Sequence, residues 1–146
     1  MALVEGKEYP EHLYYDLENQ MWYEPLDDGT VRTGFTPVAM DLAGEILVFT
    51  PKRIGHRFEV QRSFAIIEGG KWVGAAHAAF AGVVVKANEE LQRRPGLLNT
   101  DPFGAGWMLI VRPEDENWRI GLLTGPEIGP AFSAWLAEGA YKKRAN

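Results

Sequence analysis

Ser63-Phe-Ala-Ile-Ile-Glu-Gly-Gly-Lys71-Trp-Val-Gly-Ala-Ala-His77 is the stretch on which the architecture turns. A run of small and apolar residues enters, Gly69 and Gly70 reverse the chain, and a second such run leaves. That pattern reads as a β-hairpin. Glycine reaches positive φ without steric cost, and the pair is expected to supply it in this turn. Lys71 is then displayed at the tip, with a stiff strand on either side. A cation held out in this way is open to a modifying enzyme. It is also what many solvated hairpin tips carry, so the segment alone does not separate the two.

Working outward, strand signals fill most of the chain. Met21–Leu26, the turn Asp27-Asp28-Gly29 and Thr30–Phe35 read as another hairpin. Thr36 is a helix N-cap with Pro37 at the first helical position, and Gly44 can end that helix. Glu45–Thr50 is a strand, and residues 51–55 turn the chain. Phe58–Glu68 and Trp72–Ala79 are the two arms of the central hairpin, and Gly82–Ala87 is a further strand. Glu89–Arg94 predicts a short helical turn stopped by Pro95-Gly96, and 97–106 a loop. Trp107–Arg112 is the last strand. Near the end, Phe132, Trp135, Leu136 and Tyr141 share one face of a helix spanning about 127–142. Trp107, Phe103 and Trp135 are expected to be structural aromatics.

Many short strands with frequent turns indicate a mainly β architecture, a two-sheet flattened sandwich or barrel with short helices. The 146 residues suit one domain, with its core over about 15–112. A net charge of −5 argues against nucleic-acid binding, which needs a basic patch. No cysteine is present, so disulfides, thiol nucleophiles and cysteine metal sites are excluded. The first residues show no basic segment followed by an apolar stretch, and the apolar run near 75–85 is too short to span a bilayer. A cytoplasmic monomer without membrane association is the expectation.

The search for catalytic groups is negative. His12, His56 and His77 have no i,i+4 partner for a metal site, and neither Ser63 nor Ser133 lies in a nucleophile elbow. Gly69-Gly70 precedes no helix and Gly104-Ala-Gly106 runs into a strand, so neither is a phosphate loop. Asp27-Asp28 and Glu114-Asp-Glu116 read as solvated turns. A chain with no catalytic constellation but a displayed lysine has the look of a carrier.

At this point a resemblance enters. Asp28-Gly-Thr-Val-Arg-Thr-Gly-Phe-Thr36, Ala39-Met-Asp-Leu-Ala-Gly-Glu-Ile46, Glu68-Gly-Gly-Lys71, Gly82-Val-Val-Val-Lys-Ala-Asn-Glu89 and Pro95-Gly-Leu-Leu-Asn-Thr-Asp-Pro-Phe-Gly-Ala-Gly-Trp107 keep their spacing. In these blocks the chain resembles the H proteins of the glycine cleavage system and the lipoyl-carrying H-like proteins. The resemblance runs from about Tyr15 to Trp107 and is expected to extend to the C-terminal helix. It implies a lipoyl-domain fold with a C-terminal helix and a carrier, not an enzyme. It also implies lipoate in amide linkage to Lys71, with Glu68, Gly69, Gly70, Trp72 and His77 around the recognised turn.

Most departures from the family pattern cluster near that turn. Gly69 stands at a serine position and Trp72 at an alanine position; His77 and Ala79 replace tyrosine and proline. Gln61-Arg62 replaces a Gly-Glu pair, and Gln20-Met21-Trp22 keeps only the tryptophan of a His-Glu-Trp entry. This drift points first to a carrier of sulfur-bound intermediates serving a heterodisulfide-reductase-like complex in sulfur oxidation. The alternative is the glycine cleavage H protein itself, serving glycine decarboxylase, aminomethyltransferase and dihydrolipoamide dehydrogenase. A further alternative is an unlipoylated scaffold. Either carrier role requires a lipoate ligase or lipoyl transferase.

Overall fold

Turn residues cut the chain into short strands that assort into separate sheets. The computed structural model describes residues 1–139. An N-terminal hairpin pairs β1 (Ala2–Val4) with β2 (Lys7–Tyr9). Six strands form the large antiparallel sheet: β3 (Tyr14–Asp16), β4 (Met21–Pro25), β5 (Val31–Phe35), β11 (Leu109–Pro113), β10 (Gly82–Ala87) and β7 (Arg57–Phe58), in that spatial order. Three strands form the small sheet: β6 (Ile46–Pro51), β8 (Ser63–Gly69) and β9 (Val73–His77). The mainly β sandwich expected from the sequence is the observed fold.

The helices follow their caps. In α1 (Pro37–Ala43) the Thr36 hydroxyl accepts from Ala39 N, and Gly44 ends the helix with a φ of +77°. Asn88 caps α2 (Glu89–Arg93) by accepting from Leu91 N. A one-turn α3 (Leu97–Thr100) lies where the sequence suggested only loop, because its backbone bonds close locally from Gly96. The last helix, α4 (Ile128–Glu138), follows a 3-10 turn over Gly125–Glu127 and stops at left-handed Gly139. It starts one residue later than expected, and the remainder of the expected span, with Tyr141, lies outside the described residues. No helix among the described residues is long and apolar enough to cross a membrane.

Phe58–Glu68 is not one strand, as the sequence suggested. Gln61 takes a φ of +65°, Arg62 N bonds back to Glu59 O, and the chain changes sheets. Phe58 pairs with Gly82 in the large sheet, and β8 begins only at Ser63. The three N-terminal strands carry too few residues for an alternation to show in the sequence.

Two apolar clusters hold the layers together. The larger lies between the sheets, around Tyr23, Phe58, Phe64, Ile67, Leu98 and Met108. The smaller is aromatic: Tyr9, Tyr15, Trp22 and Phe132 bind the N-terminal hairpin and α4 to the sheet edge. Phe132 meets Tyr9 and Tyr15 edge-on at 4.9 and 5.8 Å. Trp135 is buried, whereas Trp107 and Phe103 are half-buried on the same cluster.

The longest sequence block, 95–107, is a clasp over this aromatic cluster. Asn88 Nδ2 donates to Ala105 O and Trp107 O at 2.8 and 2.7 Å. Asp101 accepts from Ala105 N, and the Trp22 indole donates to Pro102 O.

Phe132→Ala is expected to cost about 3–5 kcal/mol, because it opens a cavity where three aromatic rings meet. Urea denaturation measures it, with an unchanged slope marking an intact fold. A second expectation concerns alkali. Burial pushes the Tyr9 phenol from 10.0 up to about 12, and burial also raises those of Tyr15 and Tyr23. In the unfolded chain these groups ionise near pH 10.0, and in the folded chain only above it. Their contribution is intact below pH 10.0 and drains as pH rises toward 12. The thermal midpoint should fall through that window, and less steeply in Tyr9→Phe.

Candidate functional site

The hairpin of β8 and β9 leads to Lys71 as the sequence suggested, but the glycines act differently. Neither Gly69 nor Gly70 takes a positive φ. Gly69 N donates to Trp72 O at 2.8 Å and closes the turn. The need for glycine at 69 is close approach. A Cβ there would lie 2.4 Å from Ala43 O, inside any tolerable contact.

That contact is part of a joint between the hairpin tip and the end of α1. Lys71 N donates to Ala43 O at 2.9 Å, and Gly70 N donates to Glu45 O at 2.9 Å. Gly44, between the two acceptors, carries the Lys71 stem across its bare backbone. A Cβ on Gly44 would sit 3.0 Å from Lys71 Cγ. The root of the side chain is therefore fixed by backbone on both sides, while the residue itself remains exposed. Among the described residues no carboxylate comes within ion-pair distance of the Lys71 amine.

Beside this root runs a cleft of about 260 Å³. Phe35, Ala39, Met40, Ala43, Trp72 and Trp135 line it with apolar surface, and Glu18, Gln20 and His77 are among its polar elements. The Trp72 indole lies flat along β9. A Cβ on Gly74 would fall 2.1 Å from its Cζ2, so the ring requires a glycine beneath it. Trp72 also meets Phe35 edge-on, with ring centres 6.5 Å apart.

The six residues singled out from the sequence divide into three groups. Lys71, Trp72 and His77 line the cleft. Glu68 does not: it follows buried Ile67, pairs in register with Val48 and Val73, and is exposed on the outer side of the small sheet. Gly69 and Gly70 form the joint. His77 is half-buried, six positions along the chain from the lysine.

Several residues at the site were not singled out as site residues from the sequence. Gln20 reaches the cleft with a φ of +56°, held by Leu17 O and by the Thr36 hydroxyl that caps α1. Glu18 lines the cleft from a loop. Ala43 and Glu45 hold the turn through their carbonyls, which carry no residue signature. Among the described residues no group of three or more histidines, aspartates or glutamates could hold a metal ion.

The arrangement presents one primary amine on a rigid root, next to a sheltered apolar channel. It suits a covalently attached apolar arm.

Comparison with known proteins agrees with this reading. The family model described as glycine cleavage H-protein matches residues 13–131. The chain is 40% identical over 119 residues to glycine cleavage system H protein 2 of Aquifex aeolicus, covering 81% of this chain and 74% of the relative. It is 41% identical over 117 residues to glycine cleavage system H protein 5 of the same organism, covering 77% and 78%. It is 35% identical over 129 residues to probable glycine cleavage system H protein 2 of Sulfolobus acidocaldarius, covering 87% of each. The fold matches the crystal structure of a glycine cleavage system H protein from Mycobacterium marinum, with a TM-score of 0.74 and 25% identity over 88% of this chain and 99% of that one. With its sandwich, its displayed lysine and these relatives, the chain belongs to the glycine cleavage H-protein family, whose members carry lipoate covalently on a lysine and are carriers, not enzymes.

Proposed function

We propose that this chain carries its lipoate on Lys71 and passes the cargo of that arm among the enzymes of glycine cleavage. The observation that carries the reading is the Lys71 amine: exposed, without an ion-pair partner among the described residues, and rooted in a turn bonded to the end of α1. The names of the relatives favour glycine cleavage over the sulfur-oxidation role that the sequence put first.

The residues present fit the group. Amide formation removes the ammonium charge, and the arm that results is largely apolar. Phe35, Met40, Ala43 and Trp72 give it an apolar path beside its own root. Thioether and aromatic surfaces also suit sulfur. When attached, the lipoyl group supplies a disulfide that exchanges with thiols and bears the transferred cargo.

The chain's own residues do the positioning. Gly70 and Lys71 hold the root through their amides, and Trp72 closes one wall. Glu18 places a carboxylate in the lining of the cleft. Glu68, on the outer side of the sheet and without an ion pair among the described residues, is free to meet a basic group on the lipoate ligase or lipoyl transferase. In this proposal glycine decarboxylase loads the arm, aminomethyltransferase unloads it and dihydrolipoamide dehydrogenase reoxidises it. All 146 residues act as one unit, a monomer in the cytoplasm.

One observation favours a second reading, carriage of sulfur-bound groups for a heterodisulfide-reductase-like complex: Trp72 adds a large ring to the surface that a partner must approach.

Treatment with lipoate, ATP and a matched lipoate ligase should add one lipoyl mass to the parent chain and none to Lys71→Ala. An adduct that survives in the variant sinks the assignment. Glu68→Gln should slow attachment about fivefold, the worth of one exposed charge pair, with an unchanged thermal midpoint. Pathway is read with the fully lipoylated chain in glycine–bicarbonate exchange by glycine decarboxylase. Glycine cleavage requires activity near that of an established H protein. Background activity, together with reduction of the arm by the sulfur-oxidation partner, selects the second reading. Inactivity with both selects the scaffold.

A further inference from the structure

The acceptors that hold the Lys71 turn are themselves held from a third place in the chain. Ala43 O and Glu45 O belong to the three residues that leave α1. Regular structure does little to fix this strap. Gly44 has a φ of +77° and a ψ of −159°, outside both helix and strand. β6 starts at Ile46, and its register with β8 slips between Ile46 and Val48.

The missing restraint is supplied by Asn99, on α3. Its Oδ1 accepts from Ile46 N at 2.9 Å, and its Nδ2 donates to Gly44 O at 2.9 Å. One carboxamide thus bridges Glu45 and bonds the residue on each side, as a neighbouring strand would. The donor–acceptor order of the backbone forces the orientation of the amide. α3 is in turn anchored by the clasp over 95–107, where Asp101 N bonds to Leu97 O and Trp22 to Pro102 O.

We infer that Asn99 is a positioning residue for Lys71: its carboxamide fixes the 43–45 strap, and the strap fixes the Gly70 and Lys71 amides from which the arm departs. This rests on Lys71 being the attachment lysine. In acylation the Lys71 nitrogen attacks the carbonyl carbon of an adenylate-activated lipoyl group. The new amide bond forms, the bond to the adenylate phosphate oxygen breaks, AMP leaves and the amine gives up a proton. The ligase must grip the turn while this happens. A turn already ordered by Asn99 spares the complex the cost of ordering it.

Hydrogen exchange of the parent chain and of Asn99→Ala, followed by residue, tests the inference without any lipoate. The amides of Gly70 and Lys71 should exchange about tenfold faster in the variant, while Val111 in the large sheet keeps its parent rate. Ligase kcat/KM for Lys71 should fall by a similar factor. Asn99→Asp provides the second variant. At neutral pH a carboxylate oxygen faces Gly44 O and the turn should loosen. In acid the protonated carboxyl can donate again, and the ratio to the parent at the same pH should return toward one. A merely structural role would accelerate exchange across the core or leave the turn unchanged, and either result overturns the inference. A parent chain that accepts no lipoyl group overturns the attachment assignment. An acylated parent matched by Asn99→Ala in both exchange and rate overturns the role of Asn99 alone.

Discussion

Two backbone hydrogen bonds, from Lys71 N to Ala43 O and from Gly70 N to Glu45 O, join the tip of one hairpin to the end of one helix. The displayed lysine and the cleft beside it are arranged about that joint. A lysine on an isolated hairpin would sample a wide cone, because its turn could flex with the strands. Here the turn is pinned from outside, and bare backbone at Gly44 and Gly69 allows the pinning. At Gly69 the contact leaves no room for a Cβ, so packing requires glycine there, and at Gly44 the φ of +77° adds its own demand. Motion is passed to the side chain beyond its root, which is where a carrier needs it.

The sandwich supplies the rigidity behind the joint. β8 and β9 pack their inner residues, Phe64, Ala65, Ile67 and Ala76, into the cluster between the sheets. Their outward residues, among them Ile66, Glu68 and Val73, remain exposed. The aromatic cluster around Tyr9, Tyr15, Trp22 and Phe132 performs the same service for the other side of the cleft, because Trp135 of α4 belongs both to that cluster and to the cleft wall. Core and site therefore share side chains. The long turn-rich block over 95–107 makes sense in these terms. Its polar residues Asn99 and Asp101 bond to backbone, Asn88 clasps it from outside, and through Asn99 it reaches the strap that seats Lys71. A segment remote from the lysine in sequence thus belongs to its support.

Much of this was legible in the residues. Alternation and turn chemistry gave the hairpins at Asp27–Gly29 and Gly69–Gly70, and Thr36-Pro37 with Gly44 marked both ends of α1, because caps are local devices whose hydrogen bonds close within four residues. The displayed lysine followed from the same local logic. Three things were not legible. The strand expected from Phe58 to Glu68 breaks at Gln61, whose left-handed conformation no residue preference announces. The turn glycines were read for their dihedral freedom, whereas one of them is required by a carbonyl from another element. Gln20 and Glu18 reach the cleft from a loop with no periodic pattern.

What the sequence by itself determined is the mainly β architecture and the position of the displayed lysine, since each depends on residue type and short-range spacing. What only the tertiary structure decided is how that lysine is held and what surrounds it. Ala43, Glu45 and Asn99 act on the turn through bonds that span about 25 to 55 residues of chain, and two of the three act through carbonyl oxygens that every residue possesses. A backbone acceptor has no signature in an amino-acid string. Its identity as part of a site exists only once the fold has brought it within 2.9 Å of the amide it accepts.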